Sequence, residues 1–314
     1  MSKINEVAII GGGSIGVSFA IIFAGGAQAV RIFEPDTERR AAIETELLAK
    51  ATAMEPVSGV DAQDVLEKIS LSQSLEEAVS GAGLVQECVP EKVELKRAIF
   101  QQLSDLVSSD TVIASSSSAI PASESANGLK VEQQTIVAHP GNPPHLLPVI
   151  EIVPSPSTDA EIVRAASNFY RSVGMKPVQL KKEIEGFLFN RLQGAMLREA
   201  YALVRDGIAD VDDIDMVVRE GLGKRWFFMG PFEVADLNTR GGIRSHAEKL
   251  GPTYERQGAE RGQHDPWTPD LVQKVEQQRR EILPIDQWEQ RVQWRDEQLL
   301  KNLAVKNHNG GEQA

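Results

Sequence analysis

The stretch Val7–Ala20, "VAIIGGGSIGVSFA", passes from a β-branched apolar run through a cluster of glycines into an apolar segment of helical character. Gly11, Gly13 and Gly16 fall in the spacing G-x-G-x-x-G, where a strand ends and a helix begins. Each has a mechanical task there. Gly11 allows a tight turn, Gly13 lets backbone approach a pyrophosphate and Gly16 lets the helix pack on the strand, while the first helical amides, those of Ser14 and Ile15, face the phosphates. The glycine pattern alone is weak, and its setting strengthens it. The next strand, "AVRIF", ends at Glu34, eighteen positions past Gly16. A carboxylate there accepts the adenosine ribose hydroxyls and repels a 2′-phosphate, which points to NAD rather than NADP. Arg39 and Arg40 pull the other way, and the fingerprint by itself leaves a flavin open.

Outward from this motif the alternation continues. "EVAII", "AVRIF", "GLVQECV", "DTVIAS", "QTIVAH" and "PVIEIV" read as strands, most of them separated by longer helical patterns. Strands joined by helices pair in parallel through right-handed crossovers, so the predicted fold is α/β with a Rossmann-type doubly wound sheet. After "KPVQLKKEIEG" the pattern becomes helical, with Gly186 as a break, and the predicted domains are 1–184 and 185–314. "FLFNRLQGAMLREAYALVRDG" has helical apolar spacing and stops at Gly207, and "DVDDIDMVVREGLG" opens with acids suited to a helix N-terminus. An all-α C-terminal domain follows, for substrate binding and dimerisation, with an amphipathic end from about Pro269 to Lys306 and a disordered tail over 307–314.

Composition sets the outer limits. With 314 residues there is enough chain for two domains, and 41% hydrophobic with 25% charged residues suits a soluble globular protein. A formal net charge of −12 argues against nucleic-acid and anionic-membrane partners, both of which need basic surface, and leaves small molecules. Cys88 is the only cysteine, which excludes an intrachain disulfide and fits a reducing cytoplasm. Val7–Val30 contains no charge, yet its glycines interrupt any continuous apolar helix and Glu6 offsets Lys3, so it reads as part of the fold rather than a leader or membrane span.

A second stretch carries the chemistry. "TIVAHPGNPPHLLPVIEIVP", Thr135–Pro154, places His139 at the end of one apolar run and Glu151 inside the next. A buried charge is costly unless something pairs with it. Together with "SSSSAIPAS", "EIEGFLFNRLQ" and "EGLGKRWFFMGP", these motifs make residues 4 to about 245 resemble the 3-hydroxyacyl-CoA dehydrogenase superfamily, and within it the lambda-crystallin / L-gulonate 3-dehydrogenase branch. The resemblance implies that His139 is a general base steered by Glu151, and that Ser118 hydrogen-bonds the substrate oxygen. It implies further that Asn142 and Asn190 complete the polar pocket, and that Glu91 and Lys96 contact the coenzyme near the nicotinamide ribose. Such a base suits the reaction, because an alcohol yields hydride readily only as its proton leaves. Other readings stand beside these: a satisfied structural His–Glu pair, a polar loop at Ser115–Ser118 in which only spacing prefers Ser118 to Ser117, and a loop role for His145. A metal held by His139, His145 and Glu151 would consume the base, so no metal is expected.

Departures from the family bear on the substrate. Its CoA-thioester members carry a lysine-rich insertion after the second strand, whereas between Asp36 and Lys68 acids outnumber bases here. "GLGKRWFFMGP" offers Lys224 and Arg225, and the planar fork of Arg225 suits the carboxylate of a small 3-hydroxy acid such as L-gulonate; a helix-end salt bridge is its alternative. Trp226, Phe227 and Phe228 beside it also suit the quaternary ammonium of a carnitine-like substrate. A non-enzymatic structural or NAD-sensing role is the reading from another class. The resemblance implies a homodimer through the helical domain, whose opening helix is rich in apolar surface.

Overall fold

The computed structural model describes residues 4–26, 28–227, 229–238 and 242–262, with scattered positions between 270 and 301. The chain divides into two compact units, the first running to Arg191 and the second beginning at Leu192. The amphipathic C-terminal segment and the tail expected from the sequence lie largely outside the described residues, as does Phe228.

In the first unit the chain runs β1 (Glu6–Ile10), α1 (Ser14–Gly25), β2 (Ala29–Phe33), α2 (Thr37–Ser58), α3 (Ala62–Leu66), β3 (Ile69–Ser72) and α4 (Leu75–Val79). It continues through β4 (Leu84–Glu87), α5 (Val93–Leu106), β5 (Val112–Ser115), α6 (Ala122–Ser125), β6 (Thr135–Pro140), β7 (Val149–Pro154), α7 (Ala160–Ser172) and β8 (Lys176–Gln179). The eight strands form one sheet in the order β3-β2-β1-β4-β5-β6-β7-β8. The strand order reverses between β1 and β4, the switch point at which open α/β sheets bind their ligands.

Helices cover both faces because the central strands are apolar on both. Val7 and Ile9 of β1 join one apolar cluster with Phe19, Phe23 and Phe169, while Ala8 and Ile10 join another with Phe100 and Leu103. Phe23 is fully buried and its ring meets that of Phe169 edge-on at 5.1 Å, so truncating it to alanine costs about 3–5 kcal/mol. α2 starts where Asp36 accepts from the amide of Arg39 at 2.7 Å and stops at Gly59, whose φ of 68° is left-handed.

One pairing departs from a uniform parallel sheet. β6 and β7 pair antiparallel, because the bend between them contains no crossover helix, and their register sets His139 directly opposite Glu151. β3 and β8 are the short edge strands, and neither stands out in the sequence as an apolar run.

The second unit is helical. α8 (Phe189–Arg205) opens three residues before it, and α9 (Val211–Met216) runs through a π-helical segment at Val217–Leu222 into α10 (Gly223–Trp226), so Gly221 does not end the helix. α11 (Pro231–Asn238) and α12 (Gly242–Arg261) follow, and Arg261 grips Glu199 of α8 with two bonds of 2.9 and 3.0 Å. Among the described residues no helix is long and apolar enough to cross a membrane.

Candidate active site

The cross-strand register makes the central pair. Directly opposed residues of an antiparallel ladder have neighbouring Cβ atoms, and here Nδ1 of His139 lies 2.7 Å from Oε2 of Glu151. Both are buried, at 7% and 3% exposure. The other carboxylate oxygen is held by the chain entering α8: the amides of Leu188 and Phe189 donate to Oε1 at 2.6 and 3.1 Å. Glu151 is therefore held in place by backbone donors at the entry to α8 as well as by the imidazole. The entry is shaped by Gly186 and Phe187, with φ of 75° and 46°. A left-handed backbone at a bulky residue costs about 1–3 kcal/mol and persists only where the surroundings enforce it. Phe187 is fully buried and its ring lies 5.6 Å from the imidazole, with Phe189 edge-on at 6.3 Å.

His139 lines a cavity of about 280 Å³ together with Ile15, Glu91, Lys96, Ser118 and Asn142, so these residues, scattered in sequence, meet in one place. Ser117 and Ser118 part company there. The Ser117 hydroxyl is buried and committed to Glu91 Oε1 at 2.6 Å, while Ser118 is exposed to the cavity. Asn190 donates from Nδ2 to the Ser118 carbonyl at 3.2 Å, tying the start of α8 to this loop. A larger cavity of about 410 Å³, lined by Ile21, Met54, Val57 and Val173, is mostly apolar and holds no comparable set of groups; the chemistry places the site in the smaller one. On the edge of the larger cavity, Nδ1 of His145 lies 3.1 Å from the Ser18 hydroxyl.

Beneath the cavity lies a second network, of which the sequence indicated only part. Lys96, 1% exposed, places Nζ 2.9 and 3.0 Å from the two oxygens of fully buried Glu87, and 3.3 Å from Glu91. Glu87 also accepts from Ser115 Oγ at 2.6 Å and from the Val89 amide at 2.7 Å. Burial pushes the Glu87 carboxyl up, against the pull of Lys96. At Glu91 burial acts the same way but is outweighed by the Ser117 hydroxyl, the Lys96 charge and the Ala119 amide, so its pKa is lowered. Glu91 thereby gathers Ser117 Oγ and the amides of Ser118 and Ala119 on one oxygen, which fixes the loop presenting Ser118. Glu87 escaped the sequence reasoning although it has the signature of Glu151, a charge within an apolar strand.

The glycine loop fits a dinucleotide. Gly11 has φ of 101°, and a Cβ there would meet the Cys88 carbonyl oxygen at 2.7 Å; one on Gly16 would meet the Gly11 carbonyl oxygen at 2.0 Å. A Cβ on Gly13 would meet nothing within 4 Å, and no side chain caps α1, so the loop and the amides of Ser14 and Ile15 are open to a pyrophosphate. Glu34 is fastened to the same loop, accepting from the amides of Gly12 at 2.8 Å and Asp36 at 3.0 Å.

Arg225 belongs to the second unit. There its Nη1 donates to Asn238 Oδ1 at 3.4 Å, and Lys224 pairs with Glu220 at 2.7 Å. Trp226 and Phe227 are both exposed. Among the described residues no group of three or more His, Cys, Asp or Glu side chains is arranged to hold a metal ion.

The chain is similar to known proteins along most of its length. The family profile for the 3-hydroxyacyl-CoA dehydrogenase NAD binding domain matches residues 6–184, and that for the 3-hydroxyacyl-CoA dehydrogenase C-terminal domain matches 186–288. Lambda-crystallin of Oryctolagus cuniculus is 37% identical over 306 residues, covering 96% of this chain and 95% of its own. L-carnitine dehydrogenase of Oceanobacillus iheyensis is 36% identical over 280 residues, 87% of each chain. A solved NAD+-dependent dismutase, 5-formyl-3-hydroxy-2-methylpyridine 4-carboxylic acid 5-dehydrogenase, has a TM-score of 0.84 at 26% identity, covering 99% of this chain and 100% of its own.

Proposed function

The chain belongs to the 3-hydroxyacyl-CoA dehydrogenase family and is an NAD-dependent oxidoreductase acting on a CH–OH group, and from that premise we propose that it oxidises a short 3-hydroxy carboxylic acid of the L-gulonate kind to the 3-oxo acid. The observation that carries the proposal is the contact of 2.7 Å between Glu151 and His139, which lines a cavity together with Ser118 and Asn142. With Nδ1 donating to Glu151, Nε2 of His139 is the nitrogen that takes the alcohol proton. Glu151 holds the imidazole in that tautomer and stabilises the imidazolium that forms. Ser118 and Asn142 orient the substrate oxygen from the same cavity, and Asn190 steadies the Ser118 loop through its carbonyl. NAD, which the glycine loop and Glu34 would hold, would supply the acceptor for the hydride that leaves the carbinol carbon as the proton leaves its oxygen. Glu91 and Lys96 serve the coenzyme end of the cavity.

The free acid is favoured over a CoA thioester because the segment Asp36–Lys68, which contains α2 and α3, carries eight acids against four bases, a poor surface for a phosphorylated ligand. On its chemistry Arg225 is the proposed carboxylate anchor, and Arg225→Met should raise KM for the acid about tenfold or more with a smaller change in kcat. An unchanged KM would remove the anchor. A carnitine-like substrate is the second reading, favoured by the exposed Trp226 and Phe227 and by the L-carnitine dehydrogenase relative. The exposed apolar residues of the second unit, among them Leu192, Val217 and Phe232, support a homodimer, and the acidic single-cysteine composition supports a cytoplasmic setting.

The test is turnover with NAD+ across a panel of 3-hydroxy acids, 3-hydroxybutyryl-CoA and carnitine, followed by reduced-nicotinamide absorbance. Highest kcat/KM on a free 3-hydroxy acid supports the proposal. Preference for the thioester or carnitine overturns the substrate, and silence throughout with intact NAD binding favours a structural or sensing role.

A further inference from the structure

An arginine near the acidic residue that ends the second strand is the usual partner of the 2′-phosphate in NADP sites of this architecture. Arg39 occupies that neighbourhood: its Nε donates to the Gly12 carbonyl at 2.6 Å, and the Gly12 amide donates to Glu34. Its fork, however, is already taken. Nη2 donates to Glu46 Oε2 at 2.8 Å and Nη1 to Glu46 Oε1, a bidentate grip spanning two turns of α2. The neighbouring Arg40 is turned onto the Glu34 carbonyl, at 2.9 Å from Nε and 2.5 Å from Nη2, and onto Gln73 Oε1 at 3.3 Å.

We propose that Glu46 is a specificity-determining residue, which by occupying the Arg39 guanidinium and cancelling its charge withholds that cation from the 2′-phosphate of NADP. Glu34 attracts the free ribose hydroxyls, and Glu46 disarms the feature that would oppose it. A 2′-phosphate entering beside Glu34 would have to displace a bidentate carboxylate and would meet its charge once displaced. The hydrogen bond from Arg39, with its charge, holds the Glu46 carboxyl below the usual range against partial burial, so the lock stays charged through ordinary assay pH. The inference rests on the coenzyme site and is independent of which alcohol is oxidised.

The experiment is calorimetric titration of the full-length protein with NAD+ and with NADP+, the weaker ligand by competition. In Glu46→Gln the Kd for NADP+ should fall about tenfold and that for NAD+ should stay within about twofold, with Glu46→Ala moving in the same direction. Adding Arg39→Met should abolish the gain, judged against Arg39→Met alone so that effects on the glycine loop cancel. An unchanged NADP+ affinity, a gain that survives without Arg39, or equal weakening of both coenzymes would overturn the inference, the last marking the pair as scaffold for α2.

Discussion

Glu151 and Glu87 are both buried carboxylates on strands of one sheet, each within a hydrogen bond of a basic side chain that lines the same cavity. Their partners make them different. Glu151 faces an imidazole, the side chain that takes up and returns a proton near neutral pH, and its remaining oxygen accepts from the Leu188 and Phe189 amides at the entry to α8. Glu87 faces an ammonium shared with Glu91, and its other bonds come from a hydroxyl and an amide that do not titrate in the working range. One arrangement suits a proton in transit, and the other suits a charge that stays put. Burial alone therefore does not mark a catalytic carboxylate; the partner's chemistry does.

The widest separation between the two should appear on replacing the basic partners. His139→Gln should lower kcat by about 10²–10⁴-fold while the Kd for NAD changes little, because the side chain lost is the proposed proton acceptor and the glycine loop is untouched. Steady-state kinetics with coenzyme calorimetry measures both. Activity within a few-fold of the parent would reduce His139–Glu151 to a structural pair and erase the contrast.

Lys96→Met should act in the opposite sense, on stability first. It strands Glu87 as an uncompensated buried charge, at a cost of about 3–5 kcal/mol. In a chain of this size that lowers Tm by roughly 10 °C in thermal unfolding. The double replacement Glu87→Gln/Lys96→Met should recover part of the loss, since an apolar or neutral pair is often tolerated where a lone charge is not. A Lys96→Met protein as stable as the parent would show that the cluster is not the fixed base supposed here.

Much of the first unit is legible in the sequence because parallel strands buried on both faces leave continuous apolar runs, and the glycine spacing dates the first turn to a residue. β3 and β8 escape because "ISLS" and "KPVQ" sit at the sheet edges, where only partial burial constrains them. The π-helical segment at Val217–Leu222 is only six residues long, too short for its wider turn to show as a period of its own in the apolar pattern. At the site, His139 and Glu151 are legible as charges in apolar strands. Their facing one another depends on an antiparallel register that the bend supplies. Glu87 carries the same signal, but its partner Lys96 lies on a helix nine positions on, and only packing brings them together. The left-handed Phe187 is invisible beforehand, since nothing in "EGFLFNR" marks a phenylalanine for that backbone.

The finest test of the contrast concerns Cys88, which follows Glu87 directly and lies 3.1 Å from the Ser116 hydroxyl. Although the residue borders the cavity, desolvation pushes its thiol up to about 12, against the hydrogen bond it shares with Ser116. The sign is plain: with the pKa raised, the thiol keeps its proton at every pH below that value, and at pH 8 the thiolate is roughly one part in ten thousand. An unfolded cysteine has an ordinary pKa of about 8.5 and is partly ionised at the same pH. Iodoacetamide at pH 8 should therefore label Cys88 rapidly in urea and hardly at all in the native protein, with mass spectrometry as the readout. Native labelling at a rate near that of the unfolded chain would show a thiolate beside Glu87, and the network around Lys96 would then not be the fixed set of charges the contrast requires.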